Sequence, residues 1–337
     1  MTQYLGNLKQ NKCRIACSSA NQSILITGIS GSGKTCRMQQ MELDAAHTGQ
    51  TIIVIDTAHS HDSEQIFSPI CSDYEPVTNR ISALRDGIKL HPFFSGEQRN
   101  TPDFLTINNI TQAISRPANL GVNQTKLLRI AISTICHNYI PGTDDWQSIG
   151  SKLKALGTPG ENLFERLWML FECNVIRTGK PQIQPQRINI LDLSDLDDST
   201  QRILVEVVLS CLWKDRIENN LPDFTVVLDE VQRLYLGSSS LVRQLLREGR
   251  KFRINLILAT QSLSIFPRDT VSMLEQAGTK LYFPPAQMDL QRIAKSLHHI
   301  HGGDWQQPLA QLRRGECIAD GILQVGESTI RRPLILT

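Results

Sequence analysis

Residues 28–35 carry a pattern of glycines, a lysine and a threonine that can hold a chain of phosphates. Their sequence, GISGSGKT, matches G-x-x-x-x-G-K-[ST] at every fixed position. The glycines let the backbone curl so that its N–H groups point at a phosphate, and a following helix adds its positive end. Lys34 would reach the β- and γ-phosphates, and Thr35 would offer a hydroxyl to Mg²⁺. The predicted nucleotide-contacting positions are Gly28, Ser30, Gly31, Ser32, Gly33, Lys34, Thr35 and Cys36.

Two adjacent acids follow a later apolar run, FTVVLDE at 224–230. We expect Asp229 to hold Mg²⁺ through water and Glu230 to orient or activate the attacking water. Asp56 also ends an apolar run but stands alone, so it is the second choice for the metal. Paired acids downstream of a complete phosphate loop predict that the nucleotide is hydrolysed.

A glutamine and a group of arginines add further candidates. The run INLILATQ at 254–261 ends with Gln261, which could contact the γ-phosphate or the attacking water, or simply close a strand. Arg243, Arg247 and Arg250 are spaced i, i+4 and i+7, so they would share one face of a helix. That face could be solvated, could contact DNA, or could offer an arginine to the nucleotide of a neighbouring subunit.

Apolar runs and helical spacing place these groups in an α/β fold with a parallel sheet. The predicted strands span 23–27, 51–56, 187–193, 224–229, 254–260 and 279–283, and the predicted helices between them span 34–47 and 198–219. The alternation at 316–325 around Asp320-Gly321 predicts a hairpin. The polar first 20 residues favour no element.

Between about residues 92 and 186 the strand signals fade and helical spacing takes over. Apolar stripes at 122–140 and 163–173 are separated by breaks at Pro141-Gly142 and 157–160. We therefore predict residues 1–91 as the first part of an ATPase core, 92–186 as an inserted helical subdomain, and 187–337 as the second part of the core.

The composition is that of an ordinary globular protein. The chain has 337 residues, 40% hydrophobic and 20% charged, with a net charge of +2, so any attraction to nucleic acid must be local. Neither a signal peptide nor a membrane span is predicted. The eight cysteines are scattered, which favours reduced, buried thiols in a cytoplasmic protein. An LSGGQ-like segment and an N-K-x-D element are absent, which disfavours transporter cassettes and GTPases.

The order of GISGSGKT, INILDLSDLDD, FTVVLDE, LLREGRKF and INLILATQS resembles the HerA/FtsK superfamily of RecA-like P-loop ATPases. Within it, the chain is most similar to HerA-type DNA translocases and to the ATPases of conjugation and type IV secretion. The resemblance implies a hexameric ring with ATP between subunits and double-stranded DNA or another polymer in its pore. It also implies Gln261 as a sensor and Arg250 as an arginine acting in trans, with Arg247 and Arg253 as alternatives.

The chain departs from these relatives after Asp56, where Thr57-Ala58-His59 replaces the D-P-x-G-E pattern. The phosphate loop also begins too early to be preceded by a HerA-type β-barrel, so we expect partner proteins to target the motor and to recruit it to a membrane. Three functions stay open: a DNA-translocating ring, a type IV secretion-like assembly or protein-transport ATPase, and a non-motor ATP-dependent switch.

Overall fold

The computed structural model describes residues 3–19, 21–90, 104–137, 146–179, 182–218 and 221–337. Its strands are β1 (Tyr4–Leu8), β2 (Asn11–Ile15), β3 (Ile24–Thr27), β4 (Thr51–Asp56), β5 (Thr78–Ser82), β6 (Ile88–Leu90), β7 (Ile176–Thr178), β8 (Ile188–Asp192), β9 (Phe224–Leu228), β10 (Ile254–Thr260), β11 (Thr279–Tyr282), β12 (Cys317–Asp320), β13 (Leu323–Val325), β14 (Ser328–Ile330) and β15 (Leu334–Leu336).

The α-helices of the described residues are α1 (Lys34–His47), α2 (Cys71–Tyr74), α3 (Phe104–Ser115), α4 (Val122–His137), α5 (Trp146–Lys154), α6 (Thr158–Arg166), α7 (Trp168–Glu172), α8 (Asp198–Ile217), α9 (Leu241–Glu248), α10 (Arg268–Leu274), α11 (Gln287–His301) and α12 (Gln306–Ala310). Short 3-10 helices span Ser63–Gln65, Ser68–Ile70, Glu75–Val77, Val231–Arg233 and Gly249–Phe252. None of the described helices combines the length and apolarity needed to cross a bilayer.

A nine-stranded sheet organises the molecule, in the order β15-β12-β11-β3-β10-β9-β4-β8-β5. The seven strands from β11 to β5 are parallel, and β12 and β15 run antiparallel at one edge. The four central strands are almost fully buried, as expected when both faces of a parallel sheet are covered. The predicted α/β fold with a mostly parallel sheet is therefore confirmed.

Helices cover both faces of the sheet because successive strand residues point to opposite sides. In β4, Ile53 and Ile55 belong to the core shared with α3–α8, whereas Ile52 and Val54 belong to the core shared with α1. The strand therefore contributes to both hydrophobic layers, which explains its uninterrupted apolar sequence.

The five helices from α3 to α7 lie within the range predicted as a helical insert. β6 precedes them and β7 follows them, and these two strands pair in parallel, which brings the two ends of the helical region together. Side chains of the region, such as Ile107, Leu128 and Trp146, share one core with the sheet. The predicted boundary at residues 91 and 92 and the break at Pro141-Gly142 lie outside the described residues, and the three-part division stays a prediction.

A second, antiparallel sheet joins the two ends of the chain, in the order β1-β2-β13-β14. Arg14 of β2 fixes it to α1, with two charged hydrogen bonds of 2.6 and 2.7 Å to Asp44. The sequence favoured no element before residue 20, because β2 alternates polar and apolar residues too briefly to be recognised. Here the structure adds a β-hairpin.

The predicted hairpin around Asp320-Gly321 is wrong. β12 pairs with β11 and β15 in the large sheet, whereas β13 pairs with β2 and β14 in the small one. The chain therefore crosses between sheets at Gly321, and the true hairpin turn connects β13 to β14. The helix predicted at 198–219 is α8, which begins at Asp198 and has Asp197 as its N-cap.

All eight cysteines lie within the described residues and are free, as predicted. Cys13, Cys136, Cys211 and Cys317 are buried. Cys17 is exposed and the other three are half-buried, so the prediction of buried thiols holds for four of the eight cysteines.

Candidate active site

The central strands β3, β4, β9 and β10 bring the predicted site residues to one edge of the sheet. Thr27 pairs with Thr260, and Leu228 pairs with both Leu258 and Ile55. Because these strands are parallel, the residues that follow them meet at the carboxyl edge of the sheet. The phosphate loop, the two acids and Gln261 are therefore neighbours, although up to 233 positions separate them along the chain.

Two glycines give the phosphate loop its shape. Gly28 has a φ of +156°, and a Cβ on it would lie 2.6 Å from Cβ of Phe283. Gly33 has a φ of +104°, and its Cβ would lie 3.1 Å from Cα of Gly315. A side chain at either position would push against the segments that support the loop. Gly33 is also the N-cap of α1 and has no side chain to occupy the first amide groups of that helix, which leaves them available to an anion.

Backbone hydrogen bonds attach the phosphate loop to the end of β11 and to the loop before β12. The Ile29 amide donates to the Pro284 carbonyl at 2.9 Å, and the Gly315 amide donates to the Ser32 carbonyl at 2.8 Å. The Ser32 hydroxyl donates to the Ile29 carbonyl at 2.7 Å. Of the other predicted positions, Ser30 and Gly31 are exposed and Cys36 is half-buried in α1.

Lys34 lies buried against its own loop. Its ammonium group donates to the carbonyl of Gly28 at 2.7 Å and to that of Ile29 at 3.0 Å. Burial lowers the pKa of Lys34, and the charges of Asp229 and Glu230 oppose this only in part. A bound phosphate would offer this ammonium stronger acceptors than two neutral carbonyls.

Asp229 meets the end of the phosphate loop. Its Oδ2 lies 3.3 Å from the Thr35 hydroxyl, which donates to it. Burial raises the pKa of Asp229, the charge of Glu230 raises it further, and His61 and Lys34 oppose the increase. A divalent cation between Thr35 and Asp229 would relieve this crowding of negative charge, so the residues present fit Mg²⁺.

Glu230 adopts a left-handed backbone conformation, with a φ of +51°. A non-glycine residue in this conformation at the end of a strand is often functional. Its amide donates to Asp229 Oδ1 at 2.8 Å, and the Gln261 amide group donates to both of its carboxylate oxygens at 3.0 Å. The structure therefore brings the predicted water activator into direct contact with the predicted sensor.

Gln232 is a second amide on Glu230 that the sequence did not indicate. Its Nε2 donates to Glu230 Oε2, and its Oε1 accepts from the Thr260 hydroxyl at 2.9 Å. No local pattern singles out a glutamine two positions after an acid. Only the pairing of β9 with β10 reveals the contact.

Asp56, the second choice for the metal, accepts hydrogen bonds from the loop that follows it. Its oxygens accept from the amides of Ala58 at 2.9 Å, Ser60 at 3.2 Å and His61 at 2.8 Å. A carboxylate already satisfied by three amides is less available to a cation, so the geometry favours Asp229 for the metal.

His61 anchors a buried polar network behind the two acids. Its Nε2 lies 3.1 Å from both Glu42 oxygens, and its Nδ1 lies 3.8 Å from Asp56 Oδ2. The Tyr74 hydroxyl also donates to Glu42, at 2.5 Å. Burial lowers the pKa of His61, but the charge and hydrogen bond of Glu42 and the charge of Asp56 raise it to about 9. The sequence analysis missed this network because α1, the β4 loop and α2 each supply only one or two of its members.

The arginine-rich segment lies elsewhere. Arg250 lines a cavity of about 210 Å³ together with Thr51, Phe224 and Asn255, which stand at the amino ends of their strands. This is the edge of the sheet opposite to the phosphate loop. Arg250 therefore cannot reach the nucleotide site of its own chain, and its action in trans stays a prediction.

Of the three arginines expected to share one helical face, Arg243 and Arg247 lie in α9, which ends at Glu248, and Arg250 lies in the 3-10 helix that follows. Their shared face stays a prediction. Arg243 is ion-paired with Asp269 at 3.2 Å, whereas Arg247 is exposed.

The third alternative in the arginine-rich segment, Arg253, has a partner in its own chain. Its guanidinium is ion-paired with Asp223 at 3.3 Å. Like Arg250, it lines the cavity at the amino edge of the sheet.

The whole fold is similar to that of solved proteins. VirB4 of Thermoanaerobacter pseudethanolicus matches with a TM-score of 0.70 and 16% identity, over 99% of this chain and 95% of that one. The bacterial conjugative coupling protein TrwB, unbound, matches with a TM-score of 0.63 and 11% identity, over 96% and 86%. TrwB in complex with ADP and Mg²⁺ matches with a TM-score of 0.61 and 12% identity, over 95% and 86%.

No protein-family model and no curated protein sequence matches the chain. At identities of 16% and below, the similarity is one of fold. It confirms the predicted RecA-like architecture, and these neighbours are of the kind that the sequence resembled.

Proposed function

We propose that this chain is a Mg²⁺-dependent ATPase of the HerA/FtsK type that works as a hexameric ring and moves double-stranded DNA. The observation that carries the ATPase proposal is the contact between Thr35 and Asp229 at 3.3 Å, with Glu230 and Gln261 joined beside it. Binding alone would need only the phosphate loop. The acid pair and the glutamine add what hydrolysis requires.

Each of these residues would have its own role in ATP hydrolysis. Lys34 would exchange its two carbonyl acceptors for oxygens of the β- and γ-phosphates, and the amides at the start of α1 would donate to the same group. Mg²⁺ held by Thr35 and Asp229 would neutralise charge on the phosphate oxygens. Glu230 would accept a proton from water as the water oxygen bonds to the γ-phosphorus. The bond from that phosphorus to the bridging oxygen then breaks, which leaves ADP and phosphate.

The motor part of the proposal rests on fold and placement. TrwB, whose fold the chain shares, is a plasmid coupling protein and has been solved with ADP and Mg²⁺. The position of Arg250 at the opposite edge of the sheet supports a shared site, because a neighbouring copy could present it to the phosphates. Partner proteins would then supply targeting.

A second candidate is a type IV secretion-like assembly or protein-transport ATPase. The net charge of +2 and the helical insert fit it equally well, because a protein substrate needs no basic surface. A non-motor switch is the third candidate and would be a stable monomer with slow turnover.

The test combines phosphate release with light scattering on the full chain. For a DNA motor, we expect a ring in ATP and turnover that duplex DNA stimulates, with the stimulation falling steeply between about 50 and 200 mM salt. Lys34→Ala should abolish turnover, and Lys152→Ala, an exposed lysine of α5, should not. Turnover without any response to DNA would favour protein transport, a monomer would favour the switch, and no turnover would refute the ATPase.

A further inference from the structure

Glu230 is held by two amide groups that come from different elements. Gln261 follows β10 and is exposed, whereas Gln232 lies in the 3-10 helix after β9 and is half-buried. Both donate to the same carboxylate. The Glu230 carboxylate is half-buried, so water can supply some of its hydrogen bonds and one amide would be enough to supply the rest. The second amide is therefore expected to have a further role.

The amide of Gln232 has a fixed orientation. Its Oε1 accepts from the hydroxyl of Thr260, the last residue of β10, whose side chain is fully buried. Its Nε2 therefore faces Glu230, and a flipped amide would instead point an oxygen at the carboxylate. A chain of hydrogen bonds thus runs from the rigid end of β10 through Gln232 to Glu230.

Gln261 lacks such an anchor. The hydrogen bonds of its side chain within the described residues go to Glu230 alone, and the residue is exposed at the mouth of the site. Its amide can therefore turn towards a γ-phosphate without breaking any contact except those with Glu230.

We propose that Gln232 is the positioning residue for Glu230, which holds the carboxylate in place when Gln261 turns to the nucleotide. This inference rests on the proposed ATPase function. In the empty site both amides bind the carboxylate, and in the loaded site Gln232 retains it while Gln261 contacts phosphate. Since Glu230 is a non-glycine residue with a φ of +51°, its direction depends on such support from outside its own backbone.

The test separates turnover from binding. Gln232→Ala should lower kcat for ATP by about 10- to 100-fold, because a misplaced general base costs rate. The Kd values for ATP and ADP should stay within about twofold of the unaltered chain, since the side-chain hydrogen bonds of Gln232 within the described residues go to Glu230 and Thr260 and not to the phosphate loop. Gln244→Ala removes an exposed glutamine of α9 and is the matched control, with kcat unchanged. Thermal unfolding of each variant checks the fold.

Two further variants test the hydrogen-bond chain. Thr260→Val removes the hydroxyl that orients Gln232 and should also lower kcat, whereas Thr260→Ser keeps the hydroxyl and should restore it. In chains that already carry Glu230→Gln, Gln232→Ala should change the residual rate by less than about twofold, because Gln232 acts only through Glu230.

Each alternative outcome is distinct. Unchanged kcat in Gln232→Ala would overturn the positioning role and leave the ATPase standing. A loss of ATP affinity without a loss of ADP affinity would overturn it too, because it would make Gln232 the phosphate sensor. No turnover by the unaltered chain would overturn both the ATPase and this inference.

Discussion

The Thr35 hydroxyl lies 3.3 Å from Oδ2 of Asp229, although 194 positions separate the two residues along the chain. Thr35 is the last residue of the phosphate loop, which follows β3, and Asp229 follows β9. β10 lies between these strands in the sheet, so the contact spans two strand spacings and depends on the length of the phosphate loop. We propose this pair as the binding position of a divalent cation.

We therefore predict that Asp229→Asn raises the Mg²⁺ concentration needed for half-maximal ATP turnover by about tenfold or more, because a neutral amide attracts the cation less strongly. Thr35→Ser keeps the hydroxyl and should behave like the unaltered chain, whereas Thr35→Val should resemble Asp229→Asn. Mg²⁺ titration of phosphate release measures this effect. Asp304→Asn, at an exposed position, is the control, and an unchanged Mg²⁺ requirement in Asp229→Asn would exclude Asp229 as a ligand.

Glu230→Gln should retain ATP without hydrolysing it. The variant keeps the shape of the side chain but cannot accept a proton from water, so we expect kcat to fall by about 10²- to 10⁴-fold. The nucleotide recovered from the desalted variant after incubation should be ATP rather than ADP. If the variant hydrolyses ATP at the normal rate, the water activator lies elsewhere.

Much of the site could be predicted because its residues lie in short contiguous segments of the sequence. The phosphate loop, the acid pair and Gln261 each follow an apolar run, and parallel strands carry such ends to one edge of a sheet. The prediction of a hairpin at Asp320-Gly321 failed because a local pattern does not contain the partners with which a strand pairs. Alternation indicates that two strands exist, but not which sheet each will join, because strand pairing is settled by distant partners.

Gln232 and His61 show the same limit at the level of single side chains. Gln232 is significant only because Thr260 and Glu230 flank it, and His61 only because Glu42 of α1 faces it. Neither residue belongs to a spacing pattern. Polar contacts between distant elements depend on packing that only the folded chain defines.

The buried network of His61 predicts a loss of stability at alkaline pH. In the unfolded chain a histidine has a pKa of about 6.5, and in the fold the pKa of His61 is raised to about 9. The contribution of His61 to the free energy of unfolding is therefore fully present below a pH of about 6.5 and is lost as the pH rises through about 9. Asp56 and Asp229 act in the same direction as Glu42, and Arg80 contacts only the main-chain carbonyl of His61.

We expect the free energy of unfolding to fall by about 1–3 kcal/mol between these pH values, in excess of the change in a His61→Gln variant. Urea unfolding at several pH values measures it. His299→Gln, at an exposed position of α11, should keep the full pH dependence. Equal slopes in the unaltered chain and in His61→Gln would show that His61 is not charged in the fold.

Mixed assemblies can decide whether Arg250 acts on a neighbouring subunit. Arg250 stands at the amino edge of the sheet and the phosphate loop at the carboxyl edge, so one copy cannot join them, but two copies packed edge to edge could. Arg250→Ala alone should lower kcat by about 10³-fold if the guanidinium stabilises charge on the transferred phosphate. Glu230→Gln alone should be inactive as well.

A mixture of the two variants should recover part of the activity. At interfaces where an Arg250→Ala copy supplies an intact nucleotide site and a Glu230→Gln copy supplies Arg250, all the required groups are present. Phosphate release across mixing ratios should therefore pass through a maximum near equal amounts. Arg247→Ala and Arg253→Ala mixed in the same way identify the residue, because only the arginine that acts in trans will complement. Full activity of Arg250→Ala by itself would rule that residue out.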